Sequence, residues 1–333
     1  MPQTLLPPLK RLRRAPDRLP FRKMRRAHSL ILLLCVACSQ QSPAPPAGEL
    51  FAEATSHDGA EVRLFERPTR VIPTSSSTTD IVLALVGSER VAALPETVRS
   101  YSYQVSTQGI PTETPTFTHY VGESLLALSP DLVIGHVYQE LDTTRVLRSA
   151  GVPVFSLSYP KSVEDVISSV EEIAGLLGEA ERGAELIADM RGRHEALLSD
   201  KRRAGLRALT YTNLGSGVWT TGAGSSPDLM IRLAGMQNAG AEGGFEMDYQ
   251  IDVERLLVLD PDILIVAGSV SGLTPSIEFL REDELARGLK AVQNDYIVIL
   301  PPTLFSANSQ HLLTAAELLS ASVDALPDAY YQR

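Results

Sequence analysis

Beyond residue 38 the chain has no cysteine at all; its two cysteines are Cys35 and Cys38. Disulfides and thiolate metal sites are therefore excluded from the body. Aromatic residues are sparse at 6%, with one tryptophan, Trp219. Positive charge is also scarce where it would matter for polyanions. Nine of the thirty Lys and Arg, but one of the forty acids, precede Cys38, which leaves 21 basic against 39 acidic residues and a formal charge of −18. A body so acidic repels phosphate backbones, so nucleic acid is excluded as a partner. No apolar run approaches the roughly 20 residues a membrane-spanning helix needs. The chain lacks a P-loop, a Gly-x-Ser-x-Gly elbow and a His-Glu-x-x-His pair; the glycine-rich GSGVWTTGAG has no lysine to serve phosphate. Without an acid–base or nucleophile constellation, the chain reads as a non-enzyme. No intrinsic cofactor is expected.

What is present begins with a targeting segment. Arg25 and Arg26 precede an apolar run from Leu30 to Ala37, and Cys38 follows the small Ala37. The run fits a signal-peptide core. Val36-Ala37-Cys38 resembles a bacterial lipobox, which implies lipidation of Cys38 and a signal over residues 1–38, with Met24 as a possible true start. A Pro-rich polar tether is expected over 39–57.

The body repeats itself. ESLLALSPDLVIG, Glu123 to Gly135, returns 131 residues later as ERLLVLDPDILIV, Glu254 to Val266. Upstream, TTDIVLALVG matches SPDLMIRLAG, pairing Asp80 with Asp228 and Gly87 with Gly235 at an offset of 148. The difference of 17 residues predicts one insertion in the first copy, Pro95 to Pro111, as a surface loop. Each copy predicts a strand (RVIPTS or RALTYTNL), a helix opening at Asp80 or Asp228, and a short helix opening at Glu123 or Glu254. A buried strand, a further helix and a last strand follow. Such alternation implies a parallel sheet covered on both faces. The fold class is thus α/β, with two similar lobes over 58–179 and 205–330. A linking helix over 180–204, part of the helical stretch Ser162 to Arg203 that breaks near Gly178, is expected to be a strut of roughly 36 Å. Ligands of open α/β sheets bind at the carboxyl ends of the strands.

The order of the lipobox-like signal, TSSSTTDIVLALVGSERVAAL, ESLLALSPDLVI, the linking helix, TGAGSSPDLMIRLAGMQNAG, ERLLVLDPDILIV and AVQNDYIVILP resembles the periplasmic-binding-protein family for iron chelates, haem and vitamin B12. The likeness covers about Glu61 to Leu326. It implies a monomeric receptor for an ABC importer, periplasmic or extracytoplasmic, tethered to the membrane through Cys38. It also implies that Glu123 and Glu254 stand on the lobe tips and dock on the permease, which works with its ATPase. An acid in a first helical turn is stabilising without any partner, so the residues themselves leave a purely structural role open.

Cleft candidates are residues just after strands or just before the paired short helices. In the first lobe these are Ser75, Ser76, Ser77, Tyr101, Tyr103, Phe117, His119, Tyr120, His136 and Tyr138. In the second they are Trp219, Thr220, Phe245, Tyr249, Ser269, Phe305, Asn308 and His311. The set is aromatic with few charges and suits a large, flat or partly apolar ligand. An iron complex, haem or ferric siderophore, is the expected cargo; cobalamin is the alternative within the family, and a ligand sensor on the same scaffold the alternative outside it. His119 and Tyr249 precede the paired glutamates by four and five residues, so they are the metal candidates if the ligand is haem, as imidazole and phenolate both ligate haem iron.

Overall fold

The computed structural model describes residues 48–139, 141–213, 217–268 and 274–326. The signal, Cys38 and tether residues 39–47 lie outside them. Among the described residues no helix is long and apolar enough to cross a membrane.

Structure begins within the tether expected over 39–57. Strand β1 (Ala52–Thr55) pairs antiparallel with β2 (Glu61–Leu64). In β2, Val62 and Leu64 are buried while Glu61 and Arg63 face out, the period-2 pattern of a half-buried strand. His57 fastens this hairpin: its Nδ1 accepts the Ser158 N–H at 2.9 Å and its Nε2 meets Glu172 at 2.9 Å.

The first lobe is built on β3 (Val71–Pro73), β6 (Leu132–His136) and β7 (Val154–Leu157), parallel in the order β3-β6-β7 and buried along their whole length. Between β3 and β6 come α1 (Ser76–Val86), β4 (Leu94–Pro95), α2 (Val98–Tyr101), α3 (Tyr103–Gln108), β5 (Thr116–Phe117) and α4 (Gly122–Leu126). Between β6 and β7 runs α5 (Leu141–Ser149). Ser75 and Thr78 form a reciprocal capping box, so α1 opens four residues before Asp80. Asp80 is therefore not the helix-opening acid expected from the sequence; it stands in the second turn and is buried. The insertion at 95–111 is likewise more than a surface loop. It folds into α2 and α3, and Val98 and Val105 pack with Leu83 and Leu94.

A helical pair joins the lobes. α6 (Val163–Leu177) ends at Gly178, whose left-handed backbone (φ 69°) makes the expected break. α7 (Ala180–Ser199) then runs 20 residues, about 30 Å. It is shorter than the expected 180–204 because Asp200 closes it as C-cap. α7 leans on α6 so closely that a Cβ on Gly183 would fall 2.5 Å from the Ala174 Cβ. Both caps are held by arginines. Glu179, the N-cap, accepts from Arg67 and, at 2.7 Å, from Arg90. Asp200 accepts from Arg202 at 2.8 Å and Arg203 at 2.6 Å, and Arg203 also binds Asp324 at 2.7 Å and the Ala234 carbonyl at 2.8 Å.

The second lobe contains β8 (Arg207–Asn213), β9 (Val218–Thr221), α8 (Ser226–Leu233), β10 (Gln237–Asn238), α9 (Ala239–Glu242), β11 (Asp248–Ile251) and α10 (Val253–Leu259). It continues through β12 (Ile263–Ala267), α11 (Pro275–Glu282), a 3₁₀ turn at Ala286–Gly288, α12 (Lys290–Gln293), β13 (Ile297–Leu300), α13 (Pro302–Phe305) and α14 (His311–Asp324). The sheet order is β11-β9-β8-β12-β13 with β10 also beside β8. β8, β10, β12 and β13 are parallel, as expected; β9 and β11 extend the sheet antiparallel, which alternation alone did not foretell. The chain is thus two α/β lobes of parallel sheets flanked by helices. One apolar core runs through both, from Ile81 and Phe155 by way of Val170, Ile173 and Ile187 to Met230 and Leu319.

The repeated phrase now has a structural reason. Asp131 accepts the backbone N–H of Arg70 at 2.9 Å, and the Arg70 guanidinium caps the end of α4 through the Leu128 and Ser129 carbonyls. In the second lobe Asp262 accepts the Arg207 N–H at 2.8 Å, and Arg207 caps α10 through the Leu259 carbonyl at 2.7 Å. Ser129 and Asp260, which match across the repeat, both adopt positive φ, 49° and 35°. The same clamp is written twice.

Candidate functional site

The strand ends of the second lobe gather around a cavity of about 340 Å³. It is lined by Thr210 and Thr212 of β8, Trp219, Thr220 and Thr221 of β9, Asp248 of β11, and Phe305 and Ser306 at the end of α13. In β8 the residues Thr210 and Thr212 share one face, while Tyr211 turns to the other and is fully buried in the lobe core. The Thr210 hydroxyl accepts the Thr221 N–H at 3.0 Å and meets the Thr221 hydroxyl at 2.7 Å. Trp219 and Phe305 supply the apolar surfaces. α13 also packs against α2 and α3 of the first lobe, so one wall of the cavity belongs to the seam between the lobes.

Just past that wall the lobes meet through a buried acid. Asp80 is 2% exposed and accepts from the hydroxyls of Ser102 and, at 3.0 Å, Ser309, and from the Gln104 N–H at 3.1 Å. The Gln310 side chain donates to the Asp80 carbonyl at 3.0 Å. All these donors are neutral, and burial pushes the Asp80 carboxyl up to about 6. His311 adjoins, with its Nε2 at 3.1 Å from Gln104 Oε1 and its ring 4.7 Å from that of Tyr103. Burial, helped by the charge of Arg193, pushes His311 down to about 4, so its imidazole is neutral at pH 7.

At the strand ends of the first lobe, His136 Nε2 lies 3.0 Å from the Ser75 hydroxyl and 3.1 Å from that of Ser77, beside half-buried Ser76. Burial holds His136 near 4. Tyr138 stacks on it at 4.8 Å, with Tyr159 at 5.9 Å, and is itself 59% exposed.

The other residues singled out from the sequence lie apart from this cavity. Tyr101 is exposed at the end of α2. Phe117 and Tyr120 lean on the small core of Ile72, Leu125 and Leu147, and the Tyr120 hydroxyl reaches Thr144 at 3.3 Å. His119 is exposed in the turn before α4. Phe245 is 3% exposed and stacks at 4.1 Å on Tyr249, which is 37% exposed, with the Arg255 guanidinium 5.0 Å from the Phe245 ring centre. Glu123 and Glu254 are exposed on α4 and α10. Asn308 is half-buried, and Ser269 lies outside the described residues. Thr210, Thr212, Thr221, Asp248 and Ser306 were not anticipated. The alternation in Thr-Tyr-Thr was the available signal for the first two; Asp248 needed the antiparallel pairing of β11 with β9.

The profile of a family described as periplasmic binding protein matches residues 71–304. A cobalamin-binding protein of Halobacterium salinarum is 30% identical over 155 residues, 45% of this chain and 41% of that protein, so the match spans less than half the relative's length. An uncharacterized ABC transporter substrate-binding lipoprotein of Bacillus subtilis, YvrC, is 22% identical over 281 residues, 81% of this chain and 84% of its own. Among solved structures, the apo periplasmic haem-binding protein RhuT from Roseiflexus sp. RS-1 superposes with a TM-score of 0.68 at 21% identity, covering 78% of this chain and 99% of its own. The chain belongs to the periplasmic binding protein family.

Proposed function

From that membership we propose that the chain is the substrate-binding receptor of an ABC importer for a large metal chelate: haem, a ferric siderophore or cobalamin. The observation that carries this reading is the cavity at the strand ends of the second lobe, where Trp219 and Phe305 face a set of threonine hydroxyls. Aromatic walls with a few placed polar groups suit a flat, partly apolar ligand. The first lobe would add the Ser76, Tyr103 and Tyr138 region, with His311 at the seam. His119 and Tyr249 stand apart from this cavity, so they are proposed as an axial pair only for a haem bound outside it. The relatives that bind haem and cobalamin support the class of cargo.

Glu123 and Glu254 are the proposed docking points for the permease, being exposed at matching places on the two lobes. Lipidation at Cys38 is the proposed membrane anchor. Cys38→Ser should then release the protein from membranes, and unchanged membrane association would sink the anchor. Reversing both glutamates should abolish uptake and leave ligand affinity intact; a large loss of affinity would place them in the site instead.

The receptor reading is tested by titrating the purified protein with haemin, ferrioxamine B, ferric enterobactin and cobalamin, following tryptophan fluorescence and the visible spectrum. Trp219 is the only tryptophan and lines the cavity, so saturable quenching reports binding there. No quenching by any of the four would overturn the reading.

A further inference from the structure

Charge is the least balanced feature of the cavity. Of the eight residues around it, none is basic, six carry hydroxyls or an indole, Phe305 is apolar, and Asp248 is acidic. Asp248 is exposed on β11, the edge strand of the sheet, opposite Thr221 and one residue before Tyr249. Arg255, which follows on α10, holds its guanidinium over the Phe245 ring, on which Tyr249 stacks.

A carboxylate accepts hydrogen bonds and cannot donate them, whereas a threonine hydroxyl can do either. A ligand rim that presents N–H groups therefore finds acceptors in Asp248 and in the hydroxyls of this cavity, the Trp219 indole alone being a donor only. A rim of carboxylates finds one fixed repulsion and no cation to offset it. At a few ångströms of separation in a partly hydrated site, that repulsion exceeds what salt screens away. We infer that Asp248 is the specificity residue of this cavity, selecting metal chelates whose rim offers amide or ammonium N–H donors over chelates whose rim carries carboxylates. This rests on the receptor reading and narrows its ligand.

The test uses two ligands with the same ring and metal: haemin, and haemin with both propionates converted to primary amides. Each is titrated into wild type, Asp248→Asn and Asp248→Lys by Trp219 quenching. Wild type should bind the bis-amide on the order of tenfold more tightly than haemin. Asp248→Asn should reduce that preference to about twofold or less, and Asp248→Lys should reverse it. Raising the salt concentration should shrink the wild-type preference. Haemin binding as tightly as its bis-amide, or a preference unchanged in Asp248→Asn, overturns the role of Asp248 while leaving the receptor reading standing. If neither ring quenches Trp219, and ferrioxamine B, ferric enterobactin and cobalamin fail too, the receptor reading falls and this inference falls with it.

Discussion

The two lobes share their clamp and differ in their acids. Arg70 with Asp131 and Arg207 with Asp262 do the same work at matching places. Asp80 and Asp228 match in sequence but not in surroundings. Asp228 lies in the first turn of α8, 3.2 Å from Arg232 and 3.1 Å from the Asn238 amide, all within its own lobe. Asp80 has only neutral donors, and two of them, Ser309 and Gln310, come from the other lobe. Repetition thus marks what holds each lobe together, and departure from it marks where the lobes meet each other.

The strongest way to probe the comparison is at the two ends of α7. Arg203 is 1% exposed and binds two acids; Arg90 is 16% exposed and shares Glu179 with Arg67. Arg203→Ala should lower unfolding stability by about 3–5 kcal/mol, since it empties the space of a large, fully buried side chain and strips the Ala234 carbonyl of its donor, while Arg202 still pairs with both acids. Arg90→Ala should cost about 1–3 kcal/mol. Equal denaturant midpoints for the two variants would remove the distinction.

Next in size is the response to pH. The Asp80 carboxyl is raised from 3.8 to about 6, so its contribution to stability is fully present below the unfolded value and is lost as pH rises through 6. Acidification from pH 7 to pH 4 should recover on the order of 3 kcal/mol from this group. His136 and His311 act oppositely. Both are lowered from 6.5 to about 4, so their contribution is present above the unfolded value and is lost as pH falls through 4. Unfolding measured against pH should therefore show wild type gaining on Asp80→Asn between pH 6 and pH 4, and a shallower acid loss in His311→Gln. Parallel curves would contradict both assignments.

Smaller still are the clamps. Asp131→Ala and Asp262→Ala should each cost about 1–3 kcal/mol, because each strands a backbone N–H. The two losses should be similar, and a large inequality would mean that the repeat is not one device used twice. Least of all, Glu123→Ala and Glu254→Ala should each change stability by about 1 kcal/mol or less, the worth of a first-turn acid on an exposed helix.

The fold was legible where local chemistry decides it. Gly178 broke the interlobe helix where expected, and the phrases at Glu123 and Glu254 both became a short helix and a buried strand. Asp80 misled because a capping box just before it in the chain, at Ser75 and Thr78, set the start of α1. The insertion misled because its burial depends on Leu83 and Leu94, partners that its own sequence does not display. The cavity was half legible. Trp219 and Phe305 stood out as rare aromatics, whereas Asp248 is an ordinary acid until two antiparallel pairings bring it beside Thr221.

The fastening of α7 bears on how such a receptor could let go. With Glu179 and Asp200 each gripped by arginines, and one core running beneath the helix, there is no slack joint between the lobes. Any change of aperture has to flex a 20-residue helix along its length, as a leaf spring flexes, and the stored strain returns it to its resting curve. A stiff link of this kind opposes any change in the separation of the two lobes, and a wider opening costs bending energy that the link itself does not supply.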